Sequence, residues 1–450
     1  MKSFLKSALS LVVICCLLVS FSGCSMFDFF SSENLLKPPR LTGEKAELQK
    51  AFENTVGTDI SLFTPMNGEY RGSYIIFDAN NDGNDEAVVF YAFNSNSSVI
   101  HMHLLSQKES KWYSVGDFIG SGTEVYKVDF YNVDNTKNLE IGVIWSLDDS
   151  KKEKTLSLYR ITELEENSEN SLVSLATIQI SDYVSCDVDG DYSNELLYFY
   201  FVSSDGYSSA YARLLDYDSL NENLVPISEV RLPCSFTSIE QILSDKENDN
   251  YRFYVDCTVS EEKSFSEIIV YNRKSGALYI PQSENKDISS LSERESDVVC
   301  KDFNKDGYLD IPLTLDNDDS YAIADINGTR LSLSFVEWYT YLDDGFISLG
   351  KYFINHYDGY SLKLDGLYER YYVVYDCVNK VTQVRLKNSD SDNNLVFSVS
   401  CSSAADDIVS ILPDVLHGGR DEAGYKIVIS AKGETLSFTE AYIESLISDL

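Results

Sequence analysis

The sequence predicts a mainly β protein: a β-propeller of about five recognisable blades, followed by a small C-terminal α+β domain. Three observations predict this fold. Acid-rich loops recur along the chain at intervals of 54, 55, 58 and 57 residues, and a fixed period of this length is typical of a repeat array. Short apolar strand patterns flank the loops, with no helical pattern between them. The chain also holds 31 Tyr and 23 Phe but only 4 Met, a composition that favours strands over helices.

The repeated loops share one spacing of oxygen-bearing side chains. In the first loop, Asp or Asn stands at positions 1, 3 and 5, glycine at position 6 and an acid at position 9. The third and fifth loops follow the same frame, except that Tyr192 replaces the glycine in the third. The candidate metal ligands are Asp78, Asn80, Asp82 and Glu86 in the first loop, Asp187, Asp189, Asp191 and Glu195 in the third, and Asp302, Asn304, Asp306 and Asp310 in the fifth.

Two further segments fit the frame less well. Residues 132–140 keep oxygen atoms at the ligand positions but have the uncharged Thr136 at position 5. Residues 245–253 end on Phe253, so the ninth ligand is lost. We therefore expect these two loops to keep the shape of the repeat without holding an ion.

The three complete loops, DANNDGNDE, DVDGDYSNE and DFNKDGYLD, resemble the calcium loops of FG-GAP/VCBS-type repeats. Proteins of that family include integrin-like β-propellers and many bacterial surface proteins. The resemblance covers roughly two thirds of the chain and implies a propeller over residues 58–345. It also implies that calcium has a structural role in the loops.

The chemistry of the loops agrees with that implication. A hard divalent cation takes six to eight oxygen ligands, which alternating Asp and Asn side chains can supply from one tight turn. Glycine at position 6 permits a left-handed bend, whereas Tyr192 there should cost on the order of 1 kcal/mol. The alternative interpretation is that Asp- and Asn-rich segments are simply good hairpin turns.

The N-terminus has the layout of a lipoprotein export signal. Lys2 and Lys6 precede an apolar stretch from Leu9 to Phe21, which is too short to span a bilayer. Phe21-Ser22-Gly23-Cys24 resembles the bacterial lipobox. Residues 1–23 are therefore predicted to be a signal peptide, and Cys24 to carry the lipid (palmitate among its acyl chains) that anchors the protein. An ordinary secretory signal is the alternative.

The predicted signal peptide and propeller define the remaining parts of the chain. Residues 24–42 are a linker to a membrane surface on the extracytoplasmic face of a bacterial envelope, 43–57 a short helix, and 350–450 the α+β domain. A capping box at Ser437–Glu440 predicts a last helix with Ile447 and Leu450 on its apolar face. Alternatively, the strands after residue 350 complete the propeller.

Charge and composition narrow the partners. The formal net charge is −36, which excludes a nucleic-acid partner because phosphates bind Lys and Arg. Hydrophobic residues make up 44% of the chain, too many for a disordered acidic segment. We therefore expect a folded body that binds a protein or glycan ligand.

No catalytic motif is recognisable. HExxH, GxSxG, P-loop and GxGxxG patterns are absent from the sequence. His101 and His103 share one strand face, but a third metal ligand is not evident. The six cysteines beyond Cys24 are widely spaced, and we expect them to be mostly free. The expected function is a non-catalytic binding or scaffold module rather than an enzyme. The alternative is an extracellular hydrolase that acts on glycan or peptide through acids at the propeller mouth.

Overall fold

The computed structural model describes residues 43–449, apart from a set of internal segments. Those segments are 148–153, 163, 167–170, 205–206, 234, 261–262, 285–292, 295–297, 316–332, 356–357, 365–369, 377–378, 388–394, 404–414, 417–424 and 432–444. The predicted signal, Cys24 and the linker lie outside the described residues. Within the described part of the chain, no helix is long and apolar enough to cross a membrane.

The protein is mainly β, and its strands form consecutive antiparallel sheets. Helix α1 (Glu44–Val56) comes before the first strand and ends at Gly57. The first sheet has the order β1-β3-β4-β5, with β2 pairing alongside β1 on the same edge of β3. Its strands are β1 (Ile60–Phe63), β2 (Tyr74–Phe77), β3 (Glu86–Phe93), β4 (Asn96–Lys108) and β5 (Lys111–Ile119).

The second and third sheets each have four strands in chain order. The second contains β6 (Glu124–Tyr131), β7 (Glu140–Ser146), β8 (Lys154–Ile161) and β9 (Leu172–Ile180). The third contains β10 (Asp182–Cys186), β11 (Glu195–Ser204), β12 (Tyr207–Asp218) and β13 (Asn223–Arg231).

The fourth sheet repeats this order, but its last strand is split into two pieces that both pair with β16. It contains β14 (Ser238–Glu247), β15 (Asn250–Ser260), β16 (Lys263–Asn272), β17 (Ala277–Tyr279) and β18 (Glu293–Arg294), with the short helix α2 (Pro281–Glu284) between the last two. The fifth sheet contains β19 (Asp310–Thr314), β20 (Leu333–Leu342), β21 (Gly345–Asn355) and β22 (Tyr360–Lys363).

A sixth sheet follows, with the order β23-β24-β25-β27-β26. Its strands are β23 (Tyr371–Asp376), β24 (Val381–Leu386), β25 (Leu395–Ser403), β26 (Val415–Leu416) and β27 (Tyr425–Ala431). The last strand, β28 (Ile447–Asp449), returns to the fifth sheet and pairs with β22.

The sheets pack face to face in chain order. Buried apolar side chains of the first sheet form one core with those of the second, and Phe90 meets Trp145 edge to face at 5.7 Å. Further cores join the second sheet to the third, the third to the fourth, the fourth to the fifth and the fifth to the sixth. Strands β3 and β7 are buried along nearly their whole length, because both faces of an inner strand are covered.

Helix α1 covers the outer face of the first sheet. Leu48 and Phe52 are fully buried there, and the Phe52 ring packs edge to face on Tyr91 at 5.3 Å. Among the described residues, no apolar core joins this face to the fifth or sixth sheet. The helix therefore supplies the apolar partner that a neighbouring sheet supplies elsewhere.

Two details of the C-terminal part differ from expectation. The boundary expected between residues 345 and 350 falls within the β20–β21 hairpin, so the fifth sheet extends past it. The last helix was expected to include Ile447, but residues Ile447–Asp449 form β28. The physical reason is the free edge of β22, whose backbone groups gain hydrogen bonds from an added strand. Residues 437–444 lie outside the described residues.

Candidate metal sites and a buried histidine network

The predicted ligands lie in loops that lead directly into the strands β3, β11 and β19, and a similar loop leads into β7. Residues 78–85, 132–139, 187–194 and 302–309 form four such loops. In an antiparallel sheet, the start of one strand lies at the same end as the turn between the next two strands. The loops therefore lie with the β4–β5, β8–β9 and β20–β21 hairpin turns at the same end of their sheets.

The acid at position 9 begins the strand that follows the loop and is buried in all four loops. Glu86, Glu140, Glu195 and Asp310 are each at most 1% exposed. Each carboxylate accepts a hydrogen bond from the backbone N–H of position 2 in its own loop, at 2.9, 2.7, 2.7 and 2.8 Å respectively. This bond closes the loop onto the sheet, so position 9 holds the loop's shape whether or not an ion is bound.

Burial raises the pKa of these carboxyl groups. It raises the pKa of Glu140 to about 7 and that of Glu195 to about 8, and the nearby negative charge of Asp189 adds to the effect at Glu195. The pKa values of Glu86 and Asp310 are also raised by burial, against the opposing hydrogen bonds from Ser106 and Thr340. A buried carboxylate without a cation nearby is costly, and the raised pKa expresses that cost.

The first and fifth loops have the same internal hydrogen bonds. In the first, Asp78 accepts the N–H groups of Asp82 at 3.2 Å and Gly83 at 3.0 Å. In the fifth, Asp302 accepts the N–H groups of Asp306 and Gly307, both at 3.0 Å. The glycines have φ of 84° and 94°, the left-handed conformation that was expected at position 6.

The third loop brings its acids closest together. One carboxylate oxygen from each of Asp187, Asp189 and Glu195 lies within 4.8 Å of the others. Calcium binds oxygens at 2.3–2.6 Å, so a single ion fits between oxygens at this separation. The Glu195 Oε1 atom is buried without a hydrogen-bond partner among the described residues. The Tyr192 backbone has φ of 76°, the left-handed conformation in which strain was expected. Its side chain is 82% exposed, so packing does little to offset that strain.

The second loop contains a cation of its own. The Arg160 side chain reaches from β8 to Asp134, with Nε 2.9 Å from Oδ2, and the Asp134 side chain is only 3% exposed. The positive charge of Arg160 also lowers the pKa of Glu140, although burial has the larger and opposite effect. An arginine therefore neutralises this loop.

The fourth frame does not form a loop. Asp245 and Glu247 lie in β14, and a tight turn at Asn248 and Asp249 leads directly into β15. The buried Arg252 forms ion pairs with Asp245 at 2.6 Å and Glu247 at 3.1 Å. As in the second loop, an arginine supplies the positive charge next to the acids of the frame.

Hydrogen bonds from backbone N–H groups link the second, third and fifth loops to the repeat before them. The Leu139 N–H at position 8 donates to the Ala79 carbonyl of the preceding loop at 2.7 Å, and Asn194 N–H donates to the Asn132 carbonyl at 2.6 Å. In the fifth loop, Leu309 N–H donates to the Asp245 carboxylate at 2.9 Å. These three loops are therefore joined directly to the preceding repeat.

A separate polar network lies between the first sheet and α1. His103 Nδ1 is 3.1 Å and His101 Nδ1 2.7 Å from the carboxylate of Asp117, and the Tyr91 hydroxyl donates to the same carboxylate at 2.9 Å. Ser114 Oγ lies 3.0 Å from His103 Nε2. Burial acts to raise the pKa of Asp117, but the hydrogen bonds from the two histidines and Tyr91 outweigh it, so the pKa is lowered.

This network orders Ser, His and Asp as a hydrolase triad does. However, Ser114 is 7% and His103 1% exposed, and the Phe52 ring covers His103 at a centroid distance of 5.4 Å. Both ring nitrogens of His103 already have partners, which leaves none for a metal. The burial under α1 favours a structural role. Sequence reasoning singled out the His-x-His pair but missed Ser114 and Asp117, because a bulge between Leu104 and Leu105 sets their register.

The thiols of Cys186 and Cys300 are free, as expected. Cys257 and Cys300 are buried and Cys186 is half-buried. Burial raises the pKa of the Cys186 thiol to about 12 and that of Cys300 well above its usual value. These thiols are therefore unreactive near neutral pH.

Comparisons with known proteins give structural neighbours only. No protein-family model and no curated protein matches the chain. A GH43 β-1,3-galactosidase is similar at 10% identity and a TM-score of 0.27, covering 86% of this chain and 98% of its own. An exo-β-1,3-galactanase from Clostridium thermocellum has 10% identity, a TM-score of 0.26 and coverages of 83% and 97%. A mannose phosphorylase from Leishmania mexicana, solved with a phosphate ion, has 9% identity, a TM-score of 0.24 and coverages of 69% and 93%.

These neighbours correct one expectation. The chain was expected to be a non-catalytic binding or scaffold module and not an enzyme, whereas the neighbours are two glycoside hydrolases and a sugar phosphorylase. They match the alternative, a glycan-acting hydrolase, better than the main expectation, which is withdrawn. Carboxylates that act in glycoside hydrolysis carry no local motif, so the sequence offered no pattern by which to favour this alternative. At TM-scores below 0.3, the likeness assigns no activity to this chain.

Proposed function

We propose that this chain is an exported bacterial lipoprotein whose first, third and fifth loops bind calcium ions that stabilise a propeller of the FG-GAP/VCBS type. One observation carries the calcium proposal. In the third loop, oxygens of Asp187, Asp189 and Glu195 lie within 4.8 Å of one another, and Glu195 is buried. Three converging carboxylates repel one another unless a cation lies between them.

The contrast among the loops supports the proposal. Where the frame is degenerate, Arg160 or Arg252 supplies the positive charge from within the chain. The described structure gives no comparable ion pair to the acids of the first and fifth loops. A bound cation would supply in those loops the positive charge that the arginines supply in the degenerate frames.

The expected role is stability. Extracellular calcium modules bind with dissociation constants of about 10⁻⁴ to 10⁻³ M. Calcium at ten times the dissociation constant adds about 1.4 kcal/mol per site to the free energy of unfolding. The hydrogen bonds between adjacent loops would pass this stabilisation from one sheet to the next.

The proposed anchor rests on the lipobox-like Phe21–Cys24 segment. Because the chain carries a net charge of −36, the protein surface would be repelled by anionic lipid headgroups. The lipid on Cys24 would therefore provide the attachment to the membrane. Mass spectrometry of the protein extracted from its native membrane tests this, since an unmodified Cys24 would contradict it.

Thermal unfolding with and without a chelator tests the calcium proposal. The protein is the chain from residue 25 onward, which omits only the export signal and the lipidated cysteine. We expect 5 mM calcium to raise the unfolding midpoint relative to excess chelator, with most of the increase lost in a triple variant, Asp78→Asn, Asp187→Asn and Asp302→Asn. Asp249→Asn, in the turn of the degenerate fourth frame, is the matched control. An equal midpoint with calcium and with chelator would contradict the proposal.

A further inference from the structure

A cleft lies between the fourth and fifth sheets, at the same end of these sheets as the loops. It has a volume of about 540 Å³ and opens between the β16–β17 turn and the β20–β21 turn. This volume is within the range of small-molecule sites, roughly 300–1,000 Å³. None of the predicted calcium ligands lines it. The lining residues are Asn272, Tyr279, Pro281, Tyr341, Asp344, Gly345 and Phe346.

The cleft combines aromatic rings with hydrogen-bonding groups. Tyr341 and Phe346 pack with ring centroids 4.9 Å apart at 49°. The hydroxyls of Tyr279 and Tyr341 both donate to Oδ1 of Asp344, at 3.2 and 3.4 Å. These bonds hold the rings and the carboxylate in one arrangement.

Polar atoms remain for a ligand. Both tyrosine hydroxyls use Oδ1 of Asp344, which leaves Oδ2 as an acceptor without a partner among the described residues. Asn272 uses Oδ1 to accept the N–H groups of Lys274 and Ser275, at 3.0 and 3.1 Å. No hydrogen bond among the described residues uses its Nδ2 group, which is therefore available as a donor. The site therefore offers an acceptor and a donor beside apolar ring surface.

The hairpin that forms one wall is fixed to the fourth sheet. Asp343 N–H donates to Glu247 at 2.8 Å, and the buried Arg252 donates to the Tyr341 carbonyl. Arg252 is itself held by its ion pairs with Asp245 and Glu247. A wall fixed in this way is preorganised, which lowers the entropic cost of binding.

We infer that this cleft between the fourth and fifth sheets is a binding site for a neutral saccharide. Sugar hydroxyls both donate and accept hydrogen bonds, which matches the donor of Asn272 and the acceptor of Asp344. The C–H face of a sugar ring packs on aromatic rings, which combine an apolar body with a polar handle. A simple ammonium ligand would use Asp344 but leave the Asn272 donor unmatched, and an anionic polymer would be repelled by the net charge of −36.

The inference concerns binding, not hydrolysis. Of the described residues that line the cleft, one is a carboxylate, Asp344, whereas glycoside hydrolysis uses a pair. The inference also does not depend on calcium. A failure of the calcium proposal would leave it standing, and its own failure would leave the calcium proposal standing.

The test is binding of the chain from residue 25 onward to an array of neutral and acidic oligosaccharides, with choline as a cationic probe in solution. We expect at least one neutral oligosaccharide to be retained. Calorimetry should then show its dissociation constant about tenfold weaker in Asp344→Asn, because a hydrogen bond to a charged group is lost. Phe346→Ala should weaken binding by a similar factor.

Two neighbours provide matched controls. Asp343→Asn makes the same change at the adjacent turn residue, and Asn tolerates the left-handed backbone that both aspartates adopt, with φ of 49° and 58°. Ile347→Ala removes an exposed apolar side chain next to Phe346. Both should bind within twofold of the original chain, and if Phe346→Ala does not fold, Asp344→Asn decides. Retention of no neutral oligosaccharide, binding of choline alone, or equal affinity in Asp344→Asn and Asp343→Asn would each overturn the inference.

Discussion

Calcium binding to the third loop should release close to one proton at pH 7. The reason is Glu195, whose pKa is raised to about 8 by burial in the ion-free loop. A metal ligand must be deprotonated to coordinate the ion. The proton held by Glu195 must therefore leave when calcium enters.

The number of protons released follows from the pKa of Glu195. A group with a pKa of about 8 is about nine-tenths protonated at pH 7. The apparent dissociation constant should therefore become about tenfold weaker for each pH unit below 8. Above pH 9 it should no longer depend on pH through this group.

Without calcium, the raised pKa of Glu195 also makes the free energy of unfolding depend on pH. Glu195 has a higher pKa in the folded chain than in the unfolded chain, so between about pH 4.5 and 8 the folded state binds more protons. The free energy of unfolding therefore falls as pH rises through this window. Calcium should remove that loss, because it stabilises the ionised form.

Isothermal titration calorimetry at pH 7 in two buffers with different ionisation enthalpies measures the released protons. The first and fifth loops are silenced by Asp82→Asn and Asp306→Asn, so that the third binds alone. Glu165→Gln, at an exposed position, is the control for Glu195→Gln, which should release no proton. Equal heats in the two buffers, or a dissociation constant that is the same at pH 6 and pH 8, would refute the reasoning.

Three further predictions concern stability. Tyr192→Gly should raise the free energy of unfolding by about 0.5 kcal/mol, because relief of the left-handed strain exceeds glycine's entropic cost; Tyr308→Gly is the control, and denaturant titration measures both. Arg160→Gln should lower it by about 3 kcal/mol, since buried Asp134 loses its partner, and an unchanged urea midpoint would contradict the ion-pair role. Phe52→Ala should cost about 3–5 kcal/mol, because the cover of the first sheet is lost; exposed Leu62→Ala, as control, should cost under 1 kcal/mol in the same titration.

Much of the sheet array could be predicted from the sequence, for a physical reason. The period places Asp78, Asp187 and Asp302 in the loops that lead into β3, β11 and β19, and an acid at position 9 begins that strand in each case. Local chemistry decides this arrangement, because each loop is closed by bonds between residues at most seven apart. The same locality explains why the left-handed backbone at Tyr192 could be anticipated.

The features that could not be predicted depend on distant residues. Arg160 neutralises the second loop from β8, and nothing in the sequence of that loop indicates that this arginine will reach it. Arg252 belongs to the fourth frame itself, but its pairing with Asp245 and Glu247 depends on the β14–β15 hairpin. The final strand β28 pairs with β22 across most of the C-terminal region. The tract around Ile447 has a helical pattern, but pairing with a free strand edge overrides it. Long-range pairing of this kind is set by tertiary structure, not by local propensity.

The cleft between the fourth and fifth sheets shows the same limit. Tyr279 and Asp344 are 65 positions apart in the chain, and they meet because two sheets pack face to face. Thirty-one tyrosines gave no indication of which would line a site. A repeat sequence thus predicts the order of the sheets better than it predicts the contacts between them.

Equilibrium dialysis against radioactive calcium tests the central claim most directly. At 5 mM free calcium and pH 8, the chain from residue 25 onward should bind three ions, one for each complete loop. Asp187→Asn with Glu195→Gln should bind two, and Asp249→Asn should still bind three. No bound calcium, or the same number of ions with and without Asp187 and Glu195, would contradict the assignment of the loops as calcium sites.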